Sequence, residues 1–265
     1  MTSSNGPGVA LVTGASTGIG ATYADRLARR GYDLILVARD EARLKALAER
    51  LRAETGVEVE VYRADLTSRA DLSGLELRLR EDAAITLLVN NAGASSAGPF
   101  VQGDIDREED VIQLNIVAVT RLAHAAATAF AAGGSGTIIN LASVVALMPE
   151  FRSPVYGGTK AYVLHFTQAL HNQIGELGVR LQAVLPGATR TEIWDRSGMG
   201  TAHLDPAILM DVDELVDAAL AGLDQGELIT IPSLPDPADW EAFDAARLKL
   251  APNLSRNHPA ARYGL

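Results

Sequence analysis

Short, nearly uninterrupted runs of apolar residues recur along most of the chain and are separated by more polar segments. The run Asp33–Ala38 (DLILVA) is typical, because a strand that is buried on both faces of a sheet needs apolar residues at consecutive positions. Seven runs of this kind predict strands: Val9–Val12, Asp33–Ala38, Val57–Arg63, Ile85–Val89, Thr137–Leu141, Arg180–Leu185 and Leu228–Ile231.

The segments between these runs place their apolar residues at helical spacing. Leu44, Ala48 and Leu51, for example, recur three or four positions apart and therefore share one face of a helix. Helices are predicted from the glycines after the first strand to about Arg30, and over Asp40–Glu54, Ser68–Asp82, Glu108–Ala132, Val155–Gly175, Val212–Leu223 and Asp239–Lys249. This alternation predicts an α/β fold: a single Rossmann-type doubly wound domain with a seven-stranded, mostly parallel sheet and helices on both faces.

No change in composition indicates a second domain, so we predict one domain over residues 1–265 with its core at 9–231. Two stretches depart from the alternation. The segment 189–211 is long for a connection in a compact domain, which is typical of lids and substrate-binding loops. The tail 233–265 has four prolines around one short predicted helix, which indicates an extension that crosses the surface or contacts a partner.

The charge of the chain is acidic, because 23 lysines and arginines against 33 aspartates and glutamates give a formal net charge of −10. This balance argues against nucleic acid as a partner, but a phosphorylated cofactor stays compatible because local charge can oppose the net charge. The absence of cysteine excludes disulfides and thiolate metal sites, and the five histidines show no paired spacing. We therefore expect no metal.

We expect neither a membrane span nor a secretory signal in this sequence. No apolar run approaches the roughly 18 residues that a membrane span needs. The start, Met1–Gly8, is polar and lacks the basic and apolar regions of a secretory signal. We therefore predict a cytoplasmic protein that binds no membrane.

The segment Thr13–Gly20 (TGASTGIG) lies between the first strand and the first helix and contains three glycines. Glycines at this place let the chain turn tightly and bring its N–H groups close to a pyrophosphate, while the helix N-terminus adds a positive field. A turn that needs glycine only for positive φ would have the same composition. The position after the first strand of an α/β pattern favours dinucleotide binding.

Arg39 follows the second strand, about 20 residues past the glycines, where the adenosine ribose of a dinucleotide normally lies. An acid at this place would accept from the ribose 2′-hydroxyl and repel a 2′-phosphate, whereas a guanidinium does the reverse. Ser16 offers a further hydroxyl donor, and Arg43 follows one turn later. The sequence therefore predicts NADP(H), with NAD(H) as the alternative because Asp40 is only one residue away.

Tyr156 and Lys160 lie one turn apart near the start of a predicted helix that Ser153 and Pro154 open. The i, i+4 spacing places both side chains on one face. A nearby ammonium and a helix N-terminus both lower the pKa of a phenol, which suits a general acid or base. Ser143 follows the fifth strand, at the sheet edge where ligands bind. A packed tyrosine is the alternative for such a pair taken alone.

Taken together, these motifs resemble the short-chain dehydrogenase/reductase family. The resemblance covers about Val9–Ile231, and its six motifs stand in the family's order. They are Thr13–Gly20, Asn90–Gly93 (NNAG), Asn115, Ser143, Tyr156 with Lys160, and Pro186–Gly187 followed by Thr191. Asp33–Arg43 and Leu87–Phe100 are similar to bacterial reductases of the DltE/YdfG-like kind, which mostly prefer NADP.

The resemblance implies an enzyme that transfers hydride between nicotinamide C4 and a small carbonyl or secondary alcohol. Tyr156 would donate or accept the proton, Lys160 would lower its pKa and bind the nicotinamide ribose, and Ser143 would hold the substrate oxygen. Asn115 would anchor a water that relays protons. The cofactor-binding set is Gly14, Ser16, Thr17, Gly18, Ile19, Gly20, Arg39, Asp65, Leu66, Asn91, Ala92, Gly93, Tyr156, Lys160, Pro186, Gly187, Thr189 and Thr191.

Further expectations concern the pocket, the assembly and the rival functions. The pocket would be framed by Ala94–Phe100, Met148–Pro154 and Trp194–Met210, and the family implies a homodimer or homotetramer.

A 3-oxoacyl-thioester reductase would need a basic entrance for an acyl-carrier protein, for which Arg152 and Arg190 are the nearby candidates. A non-catalytic dinucleotide-sensing protein is the third candidate, although it has no need of an intact serine, tyrosine and lysine set.

Overall fold

A computed structural model describes residues 6–96, 98–151, 154–192, 194, 200 and 204–264. Seven strands form one sheet in the order 3-2-1-4-5-6-7, and all neighbouring strands pair in parallel. The strands are β1 (Val9–Thr13), β2 (Asp33–Ala38), β3 (Val59–Arg63), β4 (Ile85–Asn90), β5 (Gly136–Leu141), β6 (Val179–Val184) and β7 (Ile229–Thr230). The predicted α/β Rossmann-type fold is confirmed.

Eight α-helices of four or more residues occur in the described ranges. They are α1 (Gly18–Arg29), α2 (Glu41–Thr55), α3 (Arg69–Glu81), α4 (Ile105–Ile112), α5 (Val119–Gly133), α6 (Pro154–Ile174), α7 (Val212–Gln225) and α8 (Pro237–Leu248). Strands are followed by helices as the alternation predicts. Because parallel strands need a crossover between them, the carboxyl ends of all strands lie at one edge of the sheet, and the site is built there.

The core lies on both faces of the sheet, which explains the unbroken apolar runs. Along β2, Leu34 and Leu36 pack into one buried cluster, and Ile35 and Val37 pack into the other. Successive strand residues point to opposite faces, so a strand covered on both sides needs no polar alternation.

The helix predicted over Glu108–Ala132 differs from the structure. It begins earlier, at Ile105, where Asp104 caps α4 by accepting from the Asp106 N–H at 3.0 Å. A π-helical segment, Gln113–Ala118, then separates α4 from α5. A π-turn rotates the residues that follow it relative to an α-helix, and apolar periodicity in the sequence does not register this. Asn115 lies within the π-helical segment.

The same helical stretch, Ile105–Gly133, is long and apolar enough to cross a membrane by length and composition, and its most apolar window has a mean hydropathy of 1.4. Core helices pass the same test, and Leu122, Ala125 and Ala126 of this stretch are fully buried in the apolar cluster of one sheet face. Composition alone therefore does not indicate a span, and the absence of a membrane contact stays a prediction.

The chain divides into two compact units, Met1–Pro232 and Ser233–Leu265. The first contains the whole sheet and α1 to α7. The second contains α8, whose N-cap Asp236 accepts from the Ala238 N–H at 2.9 Å, and none of its described residues is buried. The assignment of residues 1–265 to a single domain stays a prediction.

Candidate active site

The glycine turn after β1 packs against the chain that follows β4. Gly14 has φ +65°, and a Cβ there would lie 2.7 Å from the Asn91 Nδ2 and 2.9 Å from the Ala92 Cα. Asn91 uses that amide to donate to the Thr13 carbonyl at 2.9 Å. A Cβ at Gly20 would overlap the Gly14 carbonyl. These glycines are therefore required by the approach of two backbones as well as by the turn.

The Thr13 hydroxyl joins the ends of β1 and β4. It donates to the Val89 carbonyl at 3.1 Å and accepts from the N–H groups of Asn91 and Ala92, both at 3.0 Å. Asn90 points elsewhere, because its side chain is buried and donates to Asn140 at 2.9 Å inside the sheet. That contact is structural and places Asn90 outside the site.

The N-terminus of α1 has the features of an anion site. Its first turn has no acidic residue within the described chain. Backbone N–H groups at a helix N-terminus bind phosphate groups well. Ser16 and Ile19 are half-buried in the same turn. The residues around this turn therefore fit a pyrophosphate.

Arg39 is exposed directly after β2, and within the described ranges its guanidinium has no ion pair or hydrogen bond. The Asp40 carboxylate caps the N-terminus of α2, where it accepts from the Arg43 N–H at 3.0 Å. It also lies 3.4 Å from the Arg43 guanidinium. The charged group at the strand end that is available to a ligand is therefore a cation, which fits a 2′-phosphate.

Asp65 follows β3 beside this cation. Burial raises the pKa of Asp65, but hydrogen bonds from Thr67 and the nearby Arg39 and Arg63 guanidinium groups outweigh it and leave the pKa below its usual value. Its Oδ1 accepts from both the N–H and the hydroxyl of Thr67, at 3.0 and 2.8 Å. Leu66 is buried next to it.

The catalytic candidates converge at the carboxyl ends of β4 and β5. Lys160 is buried and donates to the Leu141 carbonyl at 2.7 Å, and its Nζ lies 5.7 Å from the centroid of the Tyr156 ring. Ser143 is buried and donates to the Pro186 carbonyl at 3.3 Å, and its hydroxyl acts to lower the pKa of Tyr156. Tyr156 and Lys160 lie on α6 as the spacing predicts, whereas Ser153 lies outside the described residues.

Burial controls the titration of both groups. It lowers the pKa of Lys160 to about 8 and raises the pKa of Tyr156, although the hydrogen bond with Ser143 opposes the latter shift. The sequence predicts the opposite direction for Tyr156, from a nearby ammonium. Desolvation of the phenolate is the dominant effect here, and a phenol whose pKa lies above its usual value is protonated at neutral pH.

Asn115 is held by contacts that sequence reasoning missed. Its Oδ1 accepts from the Ala94 N–H, and its Nδ2 donates to the Ala94 carbonyl, both at 2.9 Å. The same Nδ2 donates at 3.0 Å to the Thr159 hydroxyl, which in turn donates to the Tyr156 carbonyl at 2.8 Å. Asn115 thus joins the chain after Gly93 to the helix of Tyr156. Thr159 has no signal in the sequence beyond its place next to Lys160.

The segment after β6 approaches the glycine turn. We call the region between this segment, the glycine turn and the carboxyl ends of the strands the groove. Pro186 is buried. Thr189 donates to the Gly187 carbonyl at 3.1 Å and forms a bridge with Met210, so the predicted loop 189–211 returns to its own base. A Cβ at Gly18 would lie 3.3 Å from the Thr191 side chain. Of the predicted residues of this segment, Thr191 therefore lies next to the glycine turn.

The neighbouring Glu192 accepts twice, both at 2.9 Å, from the Arg43 guanidinium. This ion pair joins the segment after β6 to α2 across a sequence separation of 149 residues. It links the part of the groove next to Arg39 with the start of the loop.

Large apolar side chains are exposed on the loops around the catalytic residues. Phe100 and Val101 follow β4, and Met148 and Phe151 follow β5. Ile208 lies in the third loop. Parts of the predicted pocket frame, at 97, 152, 153, 195–199 and 201–203, lie outside the described residues. Among the described residues, no group of three or more histidines and acids could hold a metal ion.

The chain is similar in sequence and in fold to known dehydrogenases. The family model for short chain dehydrogenase matches residues 8–200. A short-chain dehydrogenase from Sphingobium yanoikuyae, solved in complex with NADPH, is 53% identical, with a TM-score of 0.93 over 96% of this chain and 98% of that one.

Two further relatives differ in what their names say. The bulky-bulky ketone specific alcohol dehydrogenase from Comamonas testosteroni is 48% identical, with a TM-score of 0.89 over 97% of this chain and 98% of that one. A very-long-chain 3-oxoacyl-CoA reductase from Anas platyrhynchos is 32% identical over 195 residues, which is 71% of this chain and 62% of that protein. The similarity to the first relative therefore extends over much more of both chains.

Proposed function

The chain belongs to the short chain dehydrogenase family, and on that premise we propose that it is an NADP(H)-dependent carbonyl reductase with Tyr156 as its general acid. Membership makes it an oxidoreductase of alcohol and ketone groups with NAD(P). The observation that carries the proposal is the contact of Tyr156 with Ser143 above the buried Lys160. These three groups lie at the edge of the sheet where the glycine turn also ends.

The mechanism follows from the environment of each group. Bound NADPH would supply the hydride. The Tyr156 phenol, kept protonated by burial, donates its proton to the carbonyl oxygen of the ketone as negative charge develops there. The Ser143 hydroxyl already interacts with Tyr156 and can orient the same oxygen. Lys160, fixed by the Leu141 carbonyl, supplies a positive field below the ring and a donor for the nicotinamide ribose.

NADP(H) is supported over NAD(H) by the strand end after β2. Arg39 has no ion pair or hydrogen bond among the described residues, and Asp40 is occupied by the α2 N-terminus, so a 2′-phosphate finds an available cation there, with Asp65 as the nearby acid. The similar enzyme from S. yanoikuyae binds NADPH. We propose that the cofactor set predicted from the sequence, from Gly14 to Thr191, holds the rest of the molecule, which is supported by the approach of Gly18 to the Thr191 side chain.

We propose ketones with bulky groups on both sides of the carbonyl as substrates. The loops that follow β4 and β5 expose the apolar side chains of Phe100, Val101, Met148 and Phe151, which suits large apolar substituents. The name of the similar C. testosteroni enzyme states a specificity of this kind. The similarity to DltE/YdfG-like reductases, which the sequence suggests, is compatible with this and stays part of the proposal.

The rival functions have less support. A 3-oxoacyl-thioester reductase would use Arg190 to attract an acyl-carrier protein, but Arg190 pairs with Asp211 at 3.1 Å, and Arg152 lies outside the described residues. The 3-oxoacyl-CoA reductase relative is also the less similar one. A dinucleotide sensor would have no reason to keep the buried lysine below Tyr156.

We further propose that the protein is a cytoplasmic homodimer or homotetramer. The oligomer is supported by a groove of about 350 Å³ between α5 and α6, which is lined by apolar residues such as Ala127, Phe166 and Leu170. Burial of such a face in a second copy removes apolar surface from water. Light scattering at several protein concentrations measures the subunit count.

The test follows NADPH oxidation at 340 nm with ketones of increasing bulk on one side and then on both sides, in parallel with NADH. We expect turnover with NADPH and a higher kcat/KM for ketones that are bulky on both sides. A preference for NADH would overturn the interpretation of Arg39. Binding of NADPH without turnover of any ketone or 3-oxoacyl thioester would favour the sensor.

A further inference from the structure

Two buried polar side chains on one face of a helical stretch hold the same short segment of chain. Glu108 on α4 and Asn115 in the π-helical segment are seven residues apart, which is about two turns. Asn115 binds both backbone groups of Ala94. The Glu108 Oε2 accepts from the Ser96 hydroxyl at 2.8 Å. The three residues Ala94–Ser96 are therefore fastened at both ends to this stretch.

The burial of Glu108 makes this contact unusual. Its exposed fraction is 8%, and in the described ranges Ser96 is the hydrogen-bonding partner of its side chain. A buried carboxylate is costly unless its oxygens are satisfied, and an apolar residue of similar size would fill the same space at lower cost. The packing of α4 alone thus gives no reason for an acid at this position.

The fastened segment begins at the catalytic centre. A Cβ on Gly93 would lie 3.2 Å from the Asn115 Oδ1 and 3.6 Å from the Lys160 Nζ. The chain continues through Ser96 towards Phe100 and Val101, the exposed apolar residues of the loop after β4. A shift at Ser96 therefore moves the wall between the lysine and these apolar side chains.

We infer that Glu108 is a positioning residue that, through Ser96, fixes the wall of the substrate pocket between Gly93 and the loop after β4. The inference rests on the proposed function. Glu108 acts on the fit of the ketone and not on the coenzyme, because the glycine turn is held independently by Thr13 and Asn91. Loss of the contact therefore changes the KM of the ketone and leaves NADPH binding intact.

The test compares Ser96→Ala, Glu108→Leu and Glu108→Gln in the full chain. We expect Ser96→Ala and Glu108→Leu each to raise the KM of a bulky ketone about five- to twentyfold, by loss of one buried hydrogen bond that organises the pocket. The double variant should be no worse than the more affected single one, since both lose the same contact. Glu108→Gln keeps an acceptor oxygen and should restore a KM within about threefold of the wild type.

Two measurements separate positioning from a general loss of structure. The Kd of NADPH, from fluorescence titration, should stay within about twofold in every variant. Glu76 is the matched control, because it is an equally buried acid on α3 that pairs with Arg121. Glu76→Gln should lower thermal stability and leave the ketone KM unchanged. An equal rise in KM for Glu76→Gln, or an unchanged KM for Ser96→Ala, would overturn the inference.

Failure of the proposed function gives a different result. A wild-type protein that binds NADPH but reduces no ketone would overturn the reductase assignment. Amide hydrogen exchange at Ala94–Ser96 then decides the role of Glu108 separately. Faster exchange in Glu108→Leu than in the wild type, with no change in β1, would support the fastening of this segment, and equal exchange would overturn it.

Discussion

The end of the groove next to β2 and the end next to the catalytic residues differ in how far their charged groups are exposed to solvent. At the end next to β2, Arg39 is exposed, and Arg43 pairs with Glu192 while both side chains stay nearly half exposed. At the other end, Asn115, Ser143 and Lys160 are buried and bind backbone carbonyls and hydroxyls. Full charges are thus solvated at one end, and a single ammonium is desolvated at the other.

The two ends therefore differ in how much their charged groups cost the stability of the fold. An exposed guanidinium costs little, and it selects a ligand by charge alone. A buried ammonium without a carboxylate partner costs stability, and its environment changes the titration of the groups around it. Substitutions at the first end should therefore change which coenzyme binds, and substitutions at the second should change turnover and stability.

Replacement of the phenol should have the largest effect. Tyr156→Phe removes the proton donor, and we expect turnover of a good ketone to fall by about 10²- to 10⁴-fold, the range for loss of a general acid. The Kd of NADPH should stay within about twofold, because the adenosine end is intact. Steady-state rates and fluorescence titration measure the two quantities. A variant that retained more than a tenth of the turnover would remove Tyr156 from the chemistry.

Removal of the cation at the other end should have the next largest effect. Arg39→Ala loses a charged hydrogen bond to the 2′-phosphate, which corresponds to a roughly 10- to 100-fold weaker Kd for NADPH. The Kd for NADH should be almost unchanged. Arg80→Ala, at the far end of α3, is the control for net charge. Equal weakening for both coenzymes would show that Arg39 does not contact the phosphate.

Replacement of Lys160 should stabilise the folded chain by a smaller amount. Burial lowers the pKa of Lys160 to about 8 from 10.5, so below pH 8 the folded chain carries an unfavourable buried charge. Lys160→Met should raise the free energy of unfolding at pH 7 by about 1–2 kcal/mol, after allowance for the lost hydrogen bond to Leu141. Urea denaturation without coenzyme measures it.

The pH dependence of that gain has a definite sign. Between pH 8 and 10.5 the unfolded chain keeps the lysine proton that the folded chain has released. Wild-type stability therefore rises with pH in this window relative to the variant. The advantage of Lys160→Met should shrink from pH 8 towards pH 10. A variant that is less stable than the wild type at pH 7 would contradict the cost assigned to the buried ammonium.

The smallest effect is expected at the exposed ion pair. Glu192→Gln should shift Tm by less than about 2 °C, since solvent screens a pair of this exposure. The shift should disappear in 0.5 M salt, where the screening length is a few ångströms. Calorimetry at low and high salt measures it. A larger, salt-insensitive shift would mean that this end is not as solvated as its exposure indicates.

The sequence predicts the strands to within about two residues, because a strand buried on both faces leaves an unbroken apolar run such as Asp33–Ala38. The π-helical segment at Gln113–Ala118 was not predictable in this way, since its extra residue per turn leaves apolar positions that still fit a helical period. The helix start was also misplaced, because Asp104 caps a helix whose first turn is acidic.

Within the candidate site, local spacing was informative and long-range contact was not. The separation of Tyr156 and Lys160 predicts one helix face. The carbonyl that holds Lys160 belongs to Leu141, on a separate strand, and no local pattern identifies it. The pKa of Tyr156 moves against the prediction for the same reason, because burial depends on the whole fold. Glu108 stands in an acidic run, where the sequence gives it the pattern of a solvated residue.

The two edges of the sheet have a consequence for association between folded chains. The edge strand β3 carries the exposed charges of Glu60 and Arg63, and Glu60 pairs with Arg78 at 2.9 Å. The opposite edge, β7, has only two residues. A strand from another chain would have to bury charge at the first edge and would gain few hydrogen bonds at the second. Aggregation by strand addition is therefore disfavoured at both edges for as long as the sheet stays folded.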